Sequence, residues 1–247
     1  MSYASALKAI RQYWDEKAQI YIGGRTKEGW FKEVDEIVLG FINVGSESLV
    51  LDVGLGVFAT YLVEAKQSMV VGLDVSKRLL CIAKDGIKGA DASNRLFLIL
   101  GSADFLPLRD ACFDGATSML TIHHLPPPRI QESFKEIQRV LKKGGRFILA
   151  EDWAYEPKNE FQRIVLELRR LLMLTETEEY HQEYREYVAM LENAGLRVVD
   201  VQFRPRPVLL SRFEHLTNER THKLLRRARQ FDERDQLVDT TIISSIK

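Results

Sequence analysis

An excess of either charge is the first thing this 247-residue chain lacks: 35 lysines and arginines cancel 35 aspartates and glutamates. A neutral molecule has no long-range field to draw in nucleic acid, so whole-molecule steering is excluded and only local patches remain. Long apolar runs are missing too. No stretch approaches the roughly 20 residues needed to cross a bilayer, and the opening "MSYASALKAIRQYWDEK" has no uninterrupted apolar core of the kind a secretory signal requires. Cysteine is scarce. Cys81 and Cys112 stand far apart, each in an apolar segment, which excludes a disulfide framework and predicts buried free thiols in a reducing compartment. A cytoplasmic protein is expected, with no membrane span. Ser/Gly-rich linkers, internal repeats and low-complexity tracts are also absent, which argues for a single domain over 1–247.

What is present is ordinary for a globular chain: 45% apolar and 28% charged residues, enough to bury a sizeable core. Apolar periodicity predicts helices over 4–20 and 28–42, separated by the breaker "IGGRTKEG". Strands follow at 48–53, 69–75, 95–103, 113–123 and 146–153, with helices between them. Ser76 is the expected N-cap of a helix over 77–89, and Gly144 and Gly145 stop the helix that follows prolines 126–128. Beyond 155 come helices over 158–174 and 176–194, a strand at 196–204, a basic helical stretch at 211–230 and a last strand at 240–246. Short, almost polar-free strands alternating with helices imply a parallel sheet covered on both faces. The chain thus divides into N-terminal helices (1–45), a sheet core (46–153) and late helices with two strands (154–247). In such a sheet a ligand sits at the carboxyl ends of the strands, beside the first loop.

That loop lies in "LVLDVGLGVFATYL", residues 49–62. Gly54 and Gly56 let the backbone turn tightly and approach a ligand with no Cβ in the way. Asp74, about 20 residues on at the end of the second strand, is placed to accept hydrogen bonds from ribose hydroxyls. Two cofactors fit the loop alone. Gly54, Gly56 and Ala59 satisfy the dinucleotide pattern G-x-G-x-x-A, which favours NAD. Starting from Asp52 the same residues read D-x-G-x-G, a loop found in S-adenosylmethionine-binding proteins.

The block "GSADFLPLRDACFDGATSMLTIHHLPPPRIQESFKEIQRVLKKGGRFILAE" (101–151) separates the two. Asp104 with Leu106-Pro107-Leu108, Phe113-Asp114, His123-His124-Leu125 and "RVLKKGG" resemble the downstream half of class I S-adenosylmethionine-dependent methyltransferases. The branch is the one that includes the ubiquinone and menaquinone biosynthesis enzymes, and "YWDEKAQIY" (13–21) is similar to its N-terminal segment. The likeness covers roughly 13–153. It implies an α/β, Rossmann-like, seven-stranded and mostly parallel sheet with helices on both faces and an antiparallel last strand. It also implies S-adenosylmethionine as cofactor, with Asp52, Gly54 and Gly56 along the methionyl part and ribose, Asp74 on the ribose hydroxyls and Val75 beside the adenine. Asp104 would reach the adenine amino group, Phe105 would flank it, Thr121 would close the site and Tyr21 would cover it. No metal is implied.

The chemistry so implied asks little of side chains, because a sulfonium is already a strong methyl donor and the protein need only align a nucleophile and exclude water. His123 and His124 are weak candidates for a base. The Asn/Asp-Pro-Pro-Tyr type signature of amino-nitrogen methylation is missing and "HHLPPP" stands in its place, which favours a small-molecule acceptor methylated at O, N or C. One alternative is a degenerate fold kept for binding or assembly. The other is an RNA methyltransferase using 204–229, where eight basic residues face two acidic ones. Phe213 is the one aromatic there, too little for a base-stacking platform, so nucleic acid is not the expected partner. These charges instead suggest solvated faces pairing with the glutamates of 160–192, or a homodimer interface. Phe58 holds the place of a third alternate glycine. It is expected to rotate outward against Tyr61 or Leu62 rather than fill the site, so that Phe58→Gly would cost little stability.

Overall fold

The structure is a computed structural model that describes residues 3–25, 29–55, 58–87, 92, 94–173 and 179–247. Its centre is β1 (Leu49–Val53), none of whose side chains is exposed. β1 pairs in parallel with β2 (Met69–Asp74) on one side and with β4 (Phe113–Met119) on the other. Beyond them β3 (Leu96–Leu100) joins β2 and β5 (Leu141–Asp152) joins β4, again in parallel. β7 (Leu237–Ile246) then runs antiparallel between β5 and β6 (Arg197–Pro207). The strand order is β3-β2-β1-β4-β5-β7-β6, seven strands with the last one reversed. The order changes direction between β1 and β4, and such a switch point leaves a crevice at the carboxyl ends of the strands.

Alternate strand residues face opposite layers. Val50, Val70, Ile148 and Ala150 meet α2 (Gly29–Ile42), α3 (Phe58–Lys66) and α4 (Lys77–Gly86). Leu51, Val71, Phe147 and Leu149 meet α5 (Pro127–Val140) and α7 (Tyr184–Asn193). A third apolar cluster joins α6 (Glu160–Met173) to α8 (Glu219–Ala228) around Trp153, Tyr155 and Phe161. α1 (Tyr3–Arg25) packs on α4. Among the described residues no helix is long and apolar enough to cross a membrane.

Several boundaries differ from the sequence expectation, each for a local reason. β4 ends at Met119 rather than running to 123, and a 3-10 turn spans Ile122–His124. The carboxylate of Glu151 accepts the N–H groups of Thr121 (3.2 Å) and Ile122 (2.9 Å), which draws the chain out of the ladder. α7 begins only at Tyr184, where Glu183 and Glu186 form a reciprocal cap, so the helix foreseen from 176 is shorter; 174–178 lie outside the described residues. The helix expected over 77–89 ends at Gly86, where Ile87 turns extended as its C-cap; 88–89 lie outside the described residues. The basic stretch is a 3-10 turn, Leu210–Phe213, followed by α8, which Asn218 caps by accepting Thr221 N–H at 2.8 Å. Both cysteines are free, but the expectation of burial is corrected: Cys81 is exposed and Cys112 half-buried. α4 turns Leu79, Leu80 and Ala83 inward, which leaves Cys81 on its solvent side.

Candidate active site

At the tips of β1, β2 and β4 lies a solvent-open cleft. One wall is α1, which contributes Leu7, Ile10, Trp14 and Tyr21 at helical spacing. The floor begins where β1 stops. Gly54 turns at φ +79°, and its N–H donates to the Leu73 carbonyl at 2.8 Å. A Cβ there would stand 1.9 Å from Thr121 Oγ1, so the position requires glycine for its conformation and for the close approach of Thr121.

Asp74, at the tip of β2, lines the cleft with a nearly buried carboxylate whose Oδ1 accepts the Ser76 N–H at 2.6 Å. Burial pushes its pKa up to about 7, against the backbone N–H groups of Ser76, Leu55 and Val75; the nearby Asp15 charge pushes it further up. Asp15 belongs to α1 and reaches the same helix N-terminus. It accepts the Ser76 hydroxyl at 2.6 Å and the Arg78 N–H at 3.1 Å. Partial burial works against its ionisation, but these hydrogen bonds and the Arg11 and Arg78 charges outweigh it, and its pKa is lowered. Arg11 Nε donates to the Val75 carbonyl at 3.1 Å, giving α1 a second tie beside the cleft.

The opposite wall carries His124, half-buried and edge-on to Trp14 with centroids 5.1 Å apart. Trp14 in turn meets Tyr21 edge-on at 5.3 Å. Behind His124, at 4.2 Å, lies the buried His123, whose Nδ1 stands 2.5 Å from Glu151 Oε2. Burial holds both imidazoles well below their usual pKa, as do their neighbours: His181 and Arg169 act on His123, and His123 and Arg169 on His124. Burial likewise pushes Glu151 up to about 8. Leu120 (φ +53°) and Trp153 (φ +63°) hold left-handed backbone at the ends of β4 and β5, the kind of strain that gathers at functional sites.

Of the residues singled out in the sequence, Gly54, Asp74, Val75, Thr121, Tyr21 and His124 line one cleft. Four others take different positions. Asp52 lies beneath the floor, its Oδ1 accepting the Thr117 hydroxyl at 2.7 Å. Asp104 accepts the Ser102 hydroxyl at 2.5 Å and pairs with Arg129 at 3.5 Å, so that Ser102 rather than Asp104 meets the cleft. Phe105 is 77% exposed and points away from it, and His123 stands behind the wall. Gly56 lies outside the described residues. Phe58 does not line the cleft: 1% exposed, it lies with Leu62, and with Tyr61 packed alongside, in the core shared by α2, α3 and the sheet, which corrects the expectation that the ring carries little stability. Sequence reasoning missed Leu7, Ile10 and Ser102, although the 7-10-14-21 spacing on α1 was a usable signal. Glu151, 28 residues from His123, gave none.

Residues 51–149 match the sequence profile of a family described as a methyltransferase domain. They are a methyltransferase domain. That assignment removes the NAD reading of the loop. Demethylmenaquinone methyltransferase of Symbiobacterium thermophilum is 34% identical over 62% of this chain and 59% of its own length. The 18S rRNA (guanine-N(7))-methyltransferase bud23 of Schizosaccharomyces pombe is 25% identical over 68% of this chain and 66% of its own. The chain therefore spans only 59% and 66% of these two relatives. Among solved structures, geranyl diphosphate C-methyltransferase from Streptomyces coelicolor A3(2), in complex with Mg2+, geranyl diphosphate and S-adenosyl-L-homocysteine, shares the fold. Its TM-score is 0.63 at 12% identity, covering 87% of this chain and 78% of that one. The methyltransferase domain carries Gly54, Asp74, Ser102, Thr121 and His124, whereas the α1 wall lies outside it.

Proposed function

We propose that this protein transfers a methyl group from S-adenosylmethionine to a small molecule. The observation that carries the reading is Asp74: a nearly buried acid that reaches the cleft and is short of compensation until a donor arrives. Ribose hydroxyls are such donors. The cradle at Gly54 has no room for a Cβ, and Leu73, Val75, Leu79 and Ala103 give apolar walls for an adenine. Bound S-adenosylmethionine supplies an electrophilic methyl group on sulfur. The chain's own contribution is to align and to keep water away: Leu7, Ile10 and Trp14 cover the cleft, and His124 offers the acceptor a neutral hydrogen-bonding partner.

A small acceptor is favoured because half of the basic stretch is offset internally. Arg220 pairs with Glu167, Arg227 with Glu160, Arg229 with Glu214 and the buried Arg206 with Asp152. Fluorescence anisotropy with structured RNA at near-physiological salt is expected to show no association. Tight, salt-sensitive binding would move the acceptor to RNA, the acceptor class in the bud23 enzyme's name.

Calorimetric titration with S-adenosylmethionine and S-adenosylhomocysteine tests the cofactor directly, and its pH dependence tests Asp74. Accepting hydroxyl hydrogen bonds favours the carboxylate, so the complex holds Asp74 ionised at a lower pKa than the free protein's value of about 7. Free protein below that pH must lose a proton to bind. Affinity therefore rises as pH increases toward 7, by at most about tenfold per unit, and levels off above it. Asp74→Asn should lose affinity and the slope together. A wild-type slope that persists unchanged in Asp74→Asn would assign the proton elsewhere and remove Asp74 from the site.

A further inference from the structure

Behind the cleft wall, residues 179–181 lie against the ends of β4 and β5 and bring Glu179 and His181 to His123. Tyr180 N–H is bonded to the His123 carbonyl at 2.5 Å. The ring of His181 stacks on that of His123 at 4.3 Å, with 21° between the planes. One donor atom from each of His123, Glu179 and His181 lies within 4.8 Å of the other two.

The second nitrogen of each ring is already engaged. His181 Nδ1 lies 3.1 Å from the Asp152 carbonyl, an oxygen that can only accept, so Nδ1 carries the proton. His123 Nδ1 faces Glu151, whose other oxygen is fixed by two backbone N–H groups. This is the outer-shell arrangement of metal-ligating histidines, each holding a carboxylate or carbonyl with one nitrogen and presenting the other. His181 Nε2 and Glu179 Oε2 stand 2.9 Å apart. With the proton on Nδ1, Nε2 is an acceptor like the carboxylate oxygen, and the two atoms converge on one cation. In this structure that cation is the guanidinium of Arg169, which pairs with Glu179 and lies 3.1 Å from His181 Nε2.

We propose that His123, His181 and Glu179 form a binding site for a divalent transition metal ion of the Zn2+, Mn2+ or Fe2+ class, with Arg169 as the competing cation. Two imidazoles and one carboxylate suit these ions better than Mg2+, which prefers oxygen ligands. Bonds of about 2.1 Å place tetrahedral donors about 3.4 Å apart, so the Glu179–His181 pair must open by roughly half an ångström, with His123 settling at the same spacing, as the guanidinium swings out. Three protein ligands leave a coordination position open, as in catalytic rather than closed structural sites.

The site is tested with Co2+ as the probe, on untagged full-length protein stripped of metal, by the visible d–d absorption of the bound ion. Wild type is expected to develop the band, to lose it to equimolar Zn2+ and to keep it in excess Mg2+. Arg169→Met should bind Co2+ about tenfold more tightly, since a competing positive charge is gone. His181→Ala with Glu179→Gln should abolish the band, circular dichroism confirming that the variant is folded. Absence of a band in both wild type and Arg169→Met at millimolar Co2+ would overturn the proposal, as would a band undiminished in the folded double variant. In either case Arg169 is the permanent occupant of a purely structural ion-pair cluster.

Discussion

Gly54→Ala is expected to abolish measurable cofactor binding and to lower the melting temperature by about 4–20 °C. An L-residue at φ +79° costs about 1–2 kcal/mol. The new Cβ also has to displace Thr121, whose side-chain atoms lie 1.9–2.5 Å from where it would stand, and overpacking of that kind adds about 1–3 kcal/mol. At about 2–4 °C per kcal/mol for a chain of this size the sum gives the stated range. Because Gly54 and Thr121 are both cleft residues, the shift that relieves the clash reshapes the floor itself, and an affinity loss of about a hundredfold or more follows from roughly 3 kcal/mol of misfit. Calorimetry and thermal melting check both parts. Wild-type affinity with an unchanged melting temperature would mean that the turn is not the cofactor cradle.

Phe58→Ala separates stability from binding in the opposite sense. The ring is 1% exposed among α2, α3 and sheet residues. Its removal should cost about 3–5 kcal/mol, or about 6–20 °C in melting temperature, far more than its place in a glycine loop suggests. Cofactor affinity, measured well below the melting point, should stay within about threefold because the ring does not line the cleft. A gain in affinity would show that the side chain reaches the site after all.

The two positions illustrate what the sequence discloses. Gly54 and Asp74 were legible because backbone sterics and a strand-terminal acid leave a local pattern at fixed spacing. All seven strands were legible as well, since apolar runs between breakers carry their own signal. The weight of Phe58 in stability was misread because the depth of a side chain on α3 depends on which face the helix turns to the sheet, and that is decided by packing. Asp104 was assigned to the ligand, yet its carboxylate is taken up by Ser102 and Arg129, a partner 25 residues away that no spacing rule connects. The Glu151–His123 contact likewise depends on β4 and β5 lying side by side.

The position of β7 bears on how the molecule is made. β7 pairs with β5 on one edge and β6 on the other, and eight of its ten residues are buried. During synthesis β1 to β5 emerge first and form a parallel sheet with the β5 edge open. β6 follows, but in the native order it has no hydrogen-bonding neighbour except β7. Until the ribosome releases the segment from Leu237 onward, two strand edges stay unpaired in one nascent chain, the condition under which strands pair wrongly or between molecules. A ribosome stalled before Leu237 should therefore yield a chain that chaperones retain, even though every residue of 51–149 has already been made.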